Sequence, residues 1–345
     1  MTTAAKKKTV PRKRAQAATR AIAAPSQRRS EPAAKPVEWK LHQSDGLEIL
    51  EAPALARLGW LVHGFSTRPG GASKLTTNAM SGRRASRKTK NARTNGSVLN
   101  LGFTDWDSRK SVVANRKKFF HALGTEKMEI VTLRQIHSDI AHRVDSSSAL
   151  VKEAAQGDAL ITREPGILLV VQTADCIPIL LADTKRHAVA AIHSGWRGTL
   201  NRIAAKTLGR MQMEFGTRPE DVVAALGPGI GRCCYEVGPE VVVDFHAKFP
   251  QAGQWFDGPF DSLAAGENDP NWLPWLTMKP PGHQPPPLSA NLDLIAANRA
   301  ILTDVGVPPA RVFSSGFCTA CRTDLFFSYR REHTTGRMLA AIGIR

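Results

Sequence analysis

Between residues 130 and 193 the chain passes through five short apolar runs, 130–135, 159–162, 166–172, 177–182 and 188–193, each closed by turn residues. Runs of this length bounded by Gly, Asp, Pro or Thr are strand-like and too short for helices, so the centre of the chain predicts closely spaced strands. Further strands are predicted over 60–66, 222–226, 326–329 and 338–344, and the fold resumes over 97–101 after the basic stretch. Helical spacing appears over 108–123, closed by Gly124, and over 199–215, where Ile203, Thr207, Leu208, Met211 and Phe215 share a face closed by Gly216. A third helix is predicted over 292–306. No internal repeat is present and no linker divides the elements. The expected class is α+β: mixed β-sheets flanked by helices in a single large domain.

Charge sets the boundaries. The chain of 345 residues carries 47 Lys+Arg against 30 Asp+Glu, a net charge of +17 and a pI near 10.1, a balance that raises nucleic acid as a partner. Its distribution argues otherwise. Residues 1–40 hold 11 Lys/Arg and two acids, and residues 74–93 hold seven Lys/Arg and no acid, leaving 29 basic and 28 acidic residues elsewhere. The body is nearly neutral, so nucleic acid is not the expected partner, and only the arm could bind it. A disordered basic arm is expected over 1–40, then a folded domain over 45–345 with a basic inserted loop at 74–95. Residues 250–287, with nine of the 22 prolines, read as an ordered but irregular loop.

The longest apolar candidate, 167–181, is interrupted by Gln172, Thr173, Asp175 and Pro178, so no run reaches the ~18 residues of a membrane helix. The N-terminus lacks the apolar core of a secretory signal, and its Lys-rich clusters read as a solvated tail. Five cysteines, an odd number in a long chain, point to the reducing cytoplasm.

Three predicted strands end on strong metal ligands: His137 in Arg-Gln-Ile-His, Cys176 in Ala-Asp-Cys, and His193 in Ile-His-Ser-Gly-Trp-Arg-Gly. Two imidazoles and a thiolate suit Zn²⁺ and leave a fourth position for water or substrate, the mark of a catalytic rather than a structural ion. Singly, each is equally a core residue, and Cys176 with His193 is also a nucleophile–base pair. Gly195-Trp-Arg-Gly198 lies between a strand and a helix, a turn that exposes N–H groups to an anion, with Arg197 adding a fork of donors. Gly227-Pro-Gly-Ile-Gly231 is a tight loop lacking the Lys-Ser/Thr of a phosphate-binding loop. Cys318-Thr-Ala-Cys321 has chelating spacing, and Cys233-Cys234 could complete a four-cysteine site. Adjacent cysteines chelate poorly, however, and core packing is the expectation.

Taken together, Arg134–Asp139, Gly157–Thr162, Thr173–Asp183, Ala190–Thr199, Leu226–Gly238, Leu292–Leu302 and Phe326–Met338 resemble the corresponding blocks of the YfiH/YlmD-type proteins. That family is also known as multicopper polyphenol oxidoreductase or laccase-like, and the resemblance runs from about Trp60 to the C-terminus. It implies a mixed α/β domain, a zinc site of His137, Cys176 and His193, and purine nucleoside phosphorylase activity on adenosine, inosine or methylthioadenosine with adenosine deaminase activity. Thr67–Ser73 and Val98–Gly102 look like two further family motifs, which makes Arg68, Ser73 and Asn100 candidates for a phosphate or ribose subsite. The basic stretch between those motifs and the proline-rich loop depart from the family pattern and bear on substrate choice.

The expected partners are a purine nucleoside and phosphate, with no membrane. Zn²⁺ is the expected metal, copper its rival, and the ion would polarise a water or a substrate oxygen. Arg197, with Arg68, would hold phosphate, and Asp175 would shuttle a proton or orient a ligand. The alternatives are an amidase editing peptidoglycan precursors on UDP-muramyl substrates and a copper-dependent polyphenol oxidase.

Overall fold

The apolar runs of the centre are unbroken because both of their faces are covered. In the computed structural model, which describes Met1 and residues 39–75, 96–147, 155–258 and 290–345, the described elements begin with β1 (Lys40–Ser44), β2 (Leu47–Glu51), α1 (Pro53–Ala56), β3 (Leu61–Ser66) and β4 (Pro69–Ser73). Next come α2 (Arg109–Ala122), β5 (Glu129–Thr132), β6 (Ala141–Arg143), β7 (Ala159–Thr162), β8 (Ile167–Thr173), β9 (Ile177–Asp183) and β10 (Ala188–Ser194). The second half holds α3 (Trp196–Leu200), α4 (Ile203–Phe215), β11 (Val222–Leu226), β12 (Glu236–Val237), α5 (Pro239–Lys248) and β13 (Phe256–Asp257). It closes with β14 (Ala290–Leu292), α6 (Leu294–Asp304), β15 (Val312–Ser314), α7 (Tyr329–Glu332) and β16 (Met338–Ile344).

Two six-stranded mixed sheets result, ordered β1-β2-β3-β16-β8-β5 and β15-β11-β9-β10-β7-β6, with β12-β14-β13 as a small third sheet. Alternation along each strand sorts side chains between layers. Leu169 and Val171 of β8 and Ile342 of β16 meet Leu180 of β9 and Val189 of β10 in the core between the two large sheets. Their neighbours point outward: Leu168 and Val170 pack on Phe119 and Phe120 of α2, while Ile179, Leu181 and Ile192 pack on Leu208 and Met211 of α4 and Ile301 of α6. A strand sandwiched in this way has no polar face to show.

Local chemistry explains the helix ends. Ser108 caps α2 by accepting from the Ser111 N–H, and Asp293 caps α6 by accepting from the Ala296 N–H. Gly124, Gly216 and Gly306 follow α2, α4 and α6 at positive φ. The helix expected over 199–215 is broken into α3 and α4 at Arg202, which sits at φ 60°. The strand expected over 326–329 is absent: Phe326 and Phe327 are fully buried in irregular chain, and Ser328 caps α7 by accepting from the Arg331 N–H. Of 97–101, only Val98 makes bridges, to Pro69 and Ser73.

The described residues from Trp39 to Arg345 belong to one compact unit. Strand β1 starts at Lys40, ahead of the boundary expected at residue 45, because its five residues pair with β2 in antiparallel register. The expected arm and most of the basic loop fall on 2–38 and 76–95, outside the described residues, as do residues 259–289 of the proline-rich loop. Before that gap, Trp255 is buried and β13 pairs with β14. Among the described residues, no helix is long and apolar enough to cross a membrane.

Candidate active site

The turn Ala174-Asp175-Cys176 carries the chain from β8 in one large sheet to β9 in the other, and the site forms at this crossing. Antiparallel pairing of β9 with β10 sets His193 opposite Pro178 and Ser194 opposite Ile177. One step further along the register, Gly195 faces Cys176. A Cβ on Gly195 would lie 2.9 Å from the Cys176 Sγ and 3.2 Å from His137 Cδ2, so glycine stands here because the triad occupies that space. Ser194, Thr199 and Asn298, all fully buried, hydrogen-bond to one another at 2.9–3.0 Å and tie the end of β10 and α3 to α6.

His137 arrives from the loop between β5 and β6, at φ 59°. The buried carboxylate of Asp158 holds that loop. It accepts the N–H groups of Ile136, His137 and Ser138 at 3.3, 3.1 and 2.6 Å, the Ser138 hydroxyl at 2.6 Å, and Nδ1 of His193 at 2.9 Å. Burial opposes the charge on Asp158, yet the hydrogen bonds from His193 and Ser138 outweigh it and hold the carboxyl at about 2. The donor atoms of His137, Cys176 and His193 all lie within 4.8 Å of one another, a group that could hold a metal ion. Burial opposes ionisation of Cys176 as well, but the charge on His193 and hydrogen bonds from both imidazoles bring its thiol below the ordinary range. His193 is raised in turn: the thiolate and Asp158 overcome its burial.

The group lies in a cavity of about 650 Å³, within the usual range of small-molecule sites. Arg134, Arg197, Arg330 and Arg337 line it, and among the described residues none of the four forms a salt bridge with a carboxylate. Three of them lie over aromatic rings of the same wall. Arg197 is 4.4 Å from the Trp196 ring, Arg330 5.2 Å from Tyr235, and Arg337 5.9 Å from Tyr329, contacts that fix the planes of the guanidinium groups.

Of the residues singled out in the sequence, the structure brings His137, Cys176, His193, Asp175 and Arg197 to this cavity. Asp175, at φ 89°, has both carboxylate oxygens engaged, by the Thr319 hydroxyl at 2.6 Å and the Arg330 N–H at 2.7 Å. That arrangement suits orienting more than shuttling. Arg68, Ser73 and Asn100, expected at a phosphate or ribose subsite, are not among the residues lining the cavity. Arg68 is paired with Glu332 at 2.7 Å and donates to the Thr323 carbonyl. Ser73 donates to Asp107, and Asn100 accepts the N–H groups of Gly102 and Arg337. Their polar atoms are committed to joining segments, and Asn100 acts on the cavity only by positioning Arg337. The Gly227–Gly231 loop is also built for packing: Cβ atoms at Gly227 and Gly229 would meet Phe65 and Ile177 at 2.3 and 2.2 Å. Sequence reasoning missed Arg134, Asp158, Arg330 and Arg337, though all four lie inside the blocks that carry the family resemblance.

Known proteins resemble this chain along most of its length. Residues 62–345 match the family model for multi-copper polyphenol oxidoreductase laccase. A Deinococcus radiodurans protein named purine nucleoside phosphorylase is 34% identical over 301 residues, covering 87% of this chain and 94% of the relative. A protein named adenosine deaminase RL5, from an unknown prokaryotic organism, is 36% identical over 215 residues, 61% of this chain and 72% of the relative. The crystal structure of YlmD from Geobacillus stearothermophilus superposes with a TM-score of 0.68 at 30% identity, covering 90% of this chain and all of that one. The chain therefore belongs to the YfiH and YlmD family of enzymes, the one described as multi-copper polyphenol oxidoreductase laccase.

Proposed function

We propose that this enzyme is a zinc-dependent purine nucleoside phosphorylase acting on adenosine, inosine or methylthioadenosine, and that it also deaminates adenosine. One observation carries the reading: a soft three-donor group shares a cavity with four arginines that no carboxylate among the described residues neutralises. The relatives named purine nucleoside phosphorylase and adenosine deaminase support it.

The donor set fits Zn²⁺. His137, Cys176 and His193 supply two nitrogens and a sulfur, and Asp158 behind His193 is the carboxylate partner that zinc-binding imidazoles usually have. When bound, the ion would supply Lewis-acid polarisation of an oxygen at the cavity floor. Arg197, Arg330, Arg337 and Arg134 hold phosphate, whose charge they match. In phosphorolysis a phosphate oxygen bonds to C1′ while the glycosidic C–N bond breaks, and the purine leaves with the electron pair. Asp175 is a positioning residue that holds the Cys176 turn against Thr319 and Arg330. Copper-dependent oxidation of phenols is less well supported. Among the described residues, His137 and His193 are the only histidines in any potential metal group, whereas a multi-copper centre calls for many more imidazoles.

The test is a chromatographic product assay on adenosine, with and without phosphate, on protein purified without chelator. Adenine formed only with phosphate establishes phosphorolysis, and inosine formed in both conditions establishes deamination. No product in either refutes the nucleoside reading.

A further inference from the structure

Four of the five cysteines are brought together away from the triad. The Sγ atoms of Cys233, Cys234, Cys318 and Cys321 all lie within 4.8 Å of one another. The topology explains the meeting. Strands β11 and β15 are parallel neighbours, so the loops after them emerge side by side although Cys233 and Cys321 are 88 residues apart. Backbone pairing then fixes the two loops against each other. Gly229 bridges to Cys318, Thr319 N–H donates to the Gly229 carbonyl at 3.0 Å, and Gly231 N–H donates to the Cys318 Sγ at 3.2 Å. A Cβ on Gly231 would lie 3.1 Å from the Cys318 Cβ and 3.4 Å from the sulfurs of Cys233 and Cys318, so the residue that admits the cluster is glycine.

Core packing, the expectation from sequence, accounts for half of this cluster. Cys234 and Cys318 pack on the apolar core, but Cys233 and Cys321 are exposed and gain nothing from burial there. Adjacency was the objection to chelation, and a turn removes it: the N–H groups of Cys234 and Tyr235 both donate to the Gly231 carbonyl. The turn leaves the sulfurs of Cys233 and Cys234 each 3.4 Å from that of Cys321. Such separations are far beyond a disulfide bond of about 2.05 Å. They bracket, with the 4.8 Å upper bound, the edge of about 3.8 Å that a sulfur tetrahedron has around zinc at about 2.3 Å.

We propose that Cys233, Cys234, Cys318 and Cys321 form a closed four-thiolate site for Zn²⁺, separate from the triad. Four thiolates satisfy the ion without an open position, so its part is structural. Its place in the fold states what it holds. Tyr235 follows Cys234 and lines the catalytic cavity, Thr319 lies inside the Cys-x-x-Cys loop and donates to Asp175, and Ile230 N–H donates to the Asp175 carbonyl. The ion fastens together the two loops that carry this wall.

The experiment is metal analysis of the full chain, produced with zinc available and purified without chelator, beside Cys176→Ala and the pair Cys233→Ser/Cys321→Ser. Two zinc ions per chain are expected in the wild type and one in each variant. Cobalt replacement should give the intense sulfur-to-metal absorption of a four-thiolate ion, kept in Cys176→Ala and lost in the serine pair. If the serine pair does not fold, X-ray absorption on Cys176→Ala still decides: four sulfurs around zinc support the site. A zinc content in the wild type that the serine pair leaves unchanged overturns the proposal. So does a disulfide among these cysteines in protein handled without oxidant, or a Cys176→Ala protein holding no zinc.

Discussion

Replacing Asp158 with Asn removes one charge and almost no volume, and it should disable the site. The carboxylate accepts five hydrogen bonds. Oδ1 takes the His137 N–H and His193 Nδ1, and Oδ2 takes the Ile136 and Ser138 N–H groups and the Ser138 hydroxyl. An amide must turn its NH₂ toward one of these sets, setting donor against donor. At the first, His137 N–H is orphaned and His193 escapes only by moving its proton to the nitrogen that must face Cys176. At the second, two backbone N–H groups are orphaned and the hydroxyl must rotate. An orphaned buried donor costs about 1–3 kcal/mol, and these donors are part-buried, so Asp158→Asn should lose about 1–3 kcal/mol of folding stability. Loss of the carboxylate behind the imidazole should weaken metal binding by about 10–100-fold. Urea titration and chelator competition read the two effects separately. A variant within about 0.5 kcal/mol and twofold of the wild type on both would refute the reasoning.

Other consequences are as specific. Gly195→Ala places a methyl 2.9 Å from the Cys176 sulfur, so it should lower metal affinity at least about tenfold, with the circular dichroism spectrum unchanged; full affinity would contradict the contact. Arg330→Ala and Arg337→Ala should each raise the phosphate concentration for half-maximal rate about tenfold, as expected for one lost charge-assisted contact, with adenosine KM much less affected; steady-state kinetics with phosphate varied reads this. His63 is buried, accepts the Ala52 N–H at 3.0 Å, and is held by burial at about 4. It is therefore neutral in the folded chain where an unfolded imidazole, near 6.5, is protonated. Its contribution to stability is complete above pH 6.5 and falls by about 1.4 kcal/mol per pH unit, about 3 kcal/mol in all, as pH drops to 4. In His63→Gln, which keeps an acceptor but does not titrate, urea midpoints between pH 6.5 and 4 should fall less steeply; parallel profiles would sink the assignment.

Cys176 and His193 were legible because they stand where β9 begins and β10 ends, and His137 because it closes an apolar run in the sequence, although β5 itself stops at Thr132. Gly195 stood out as well, but for another reason: a turn motif does not show that the glycine faces Cys176, because that follows from the register of β9 on β10. The arginines were hidden for a similar reason. Arg330 and Arg337 reach the cavity through α7 and the start of β16, and the Phe326-Phe327 pair that looked like a strand is core packing in irregular chain. Arg68, Ser73 and Asn100 drew notice because their segments look like family motifs, yet motif residues serve equally to join loops, as they do here. The break at Arg202 escaped because α4 keeps the expected face after it, with Thr207, Leu208, Met211 and Phe215 all buried. Pairing of β11 with β15, which gathers the four cysteines, is a long-range contact that periodicity does not encode.

The central claim is that the group of His137, Cys176 and His193 supports phosphate-dependent cleavage of purine nucleosides. The most direct measurement follows ribose 1-phosphate and adenine from adenosine in wild type and Cys176→Ala, with zinc quantified on the same samples. The account predicts equal amounts of the two products in the wild type, none without phosphate, and in Cys176→Ala the loss of one zinc together with both products. Turnover that survives in Cys176→Ala, or adenine released without ribose 1-phosphate, would contradict it.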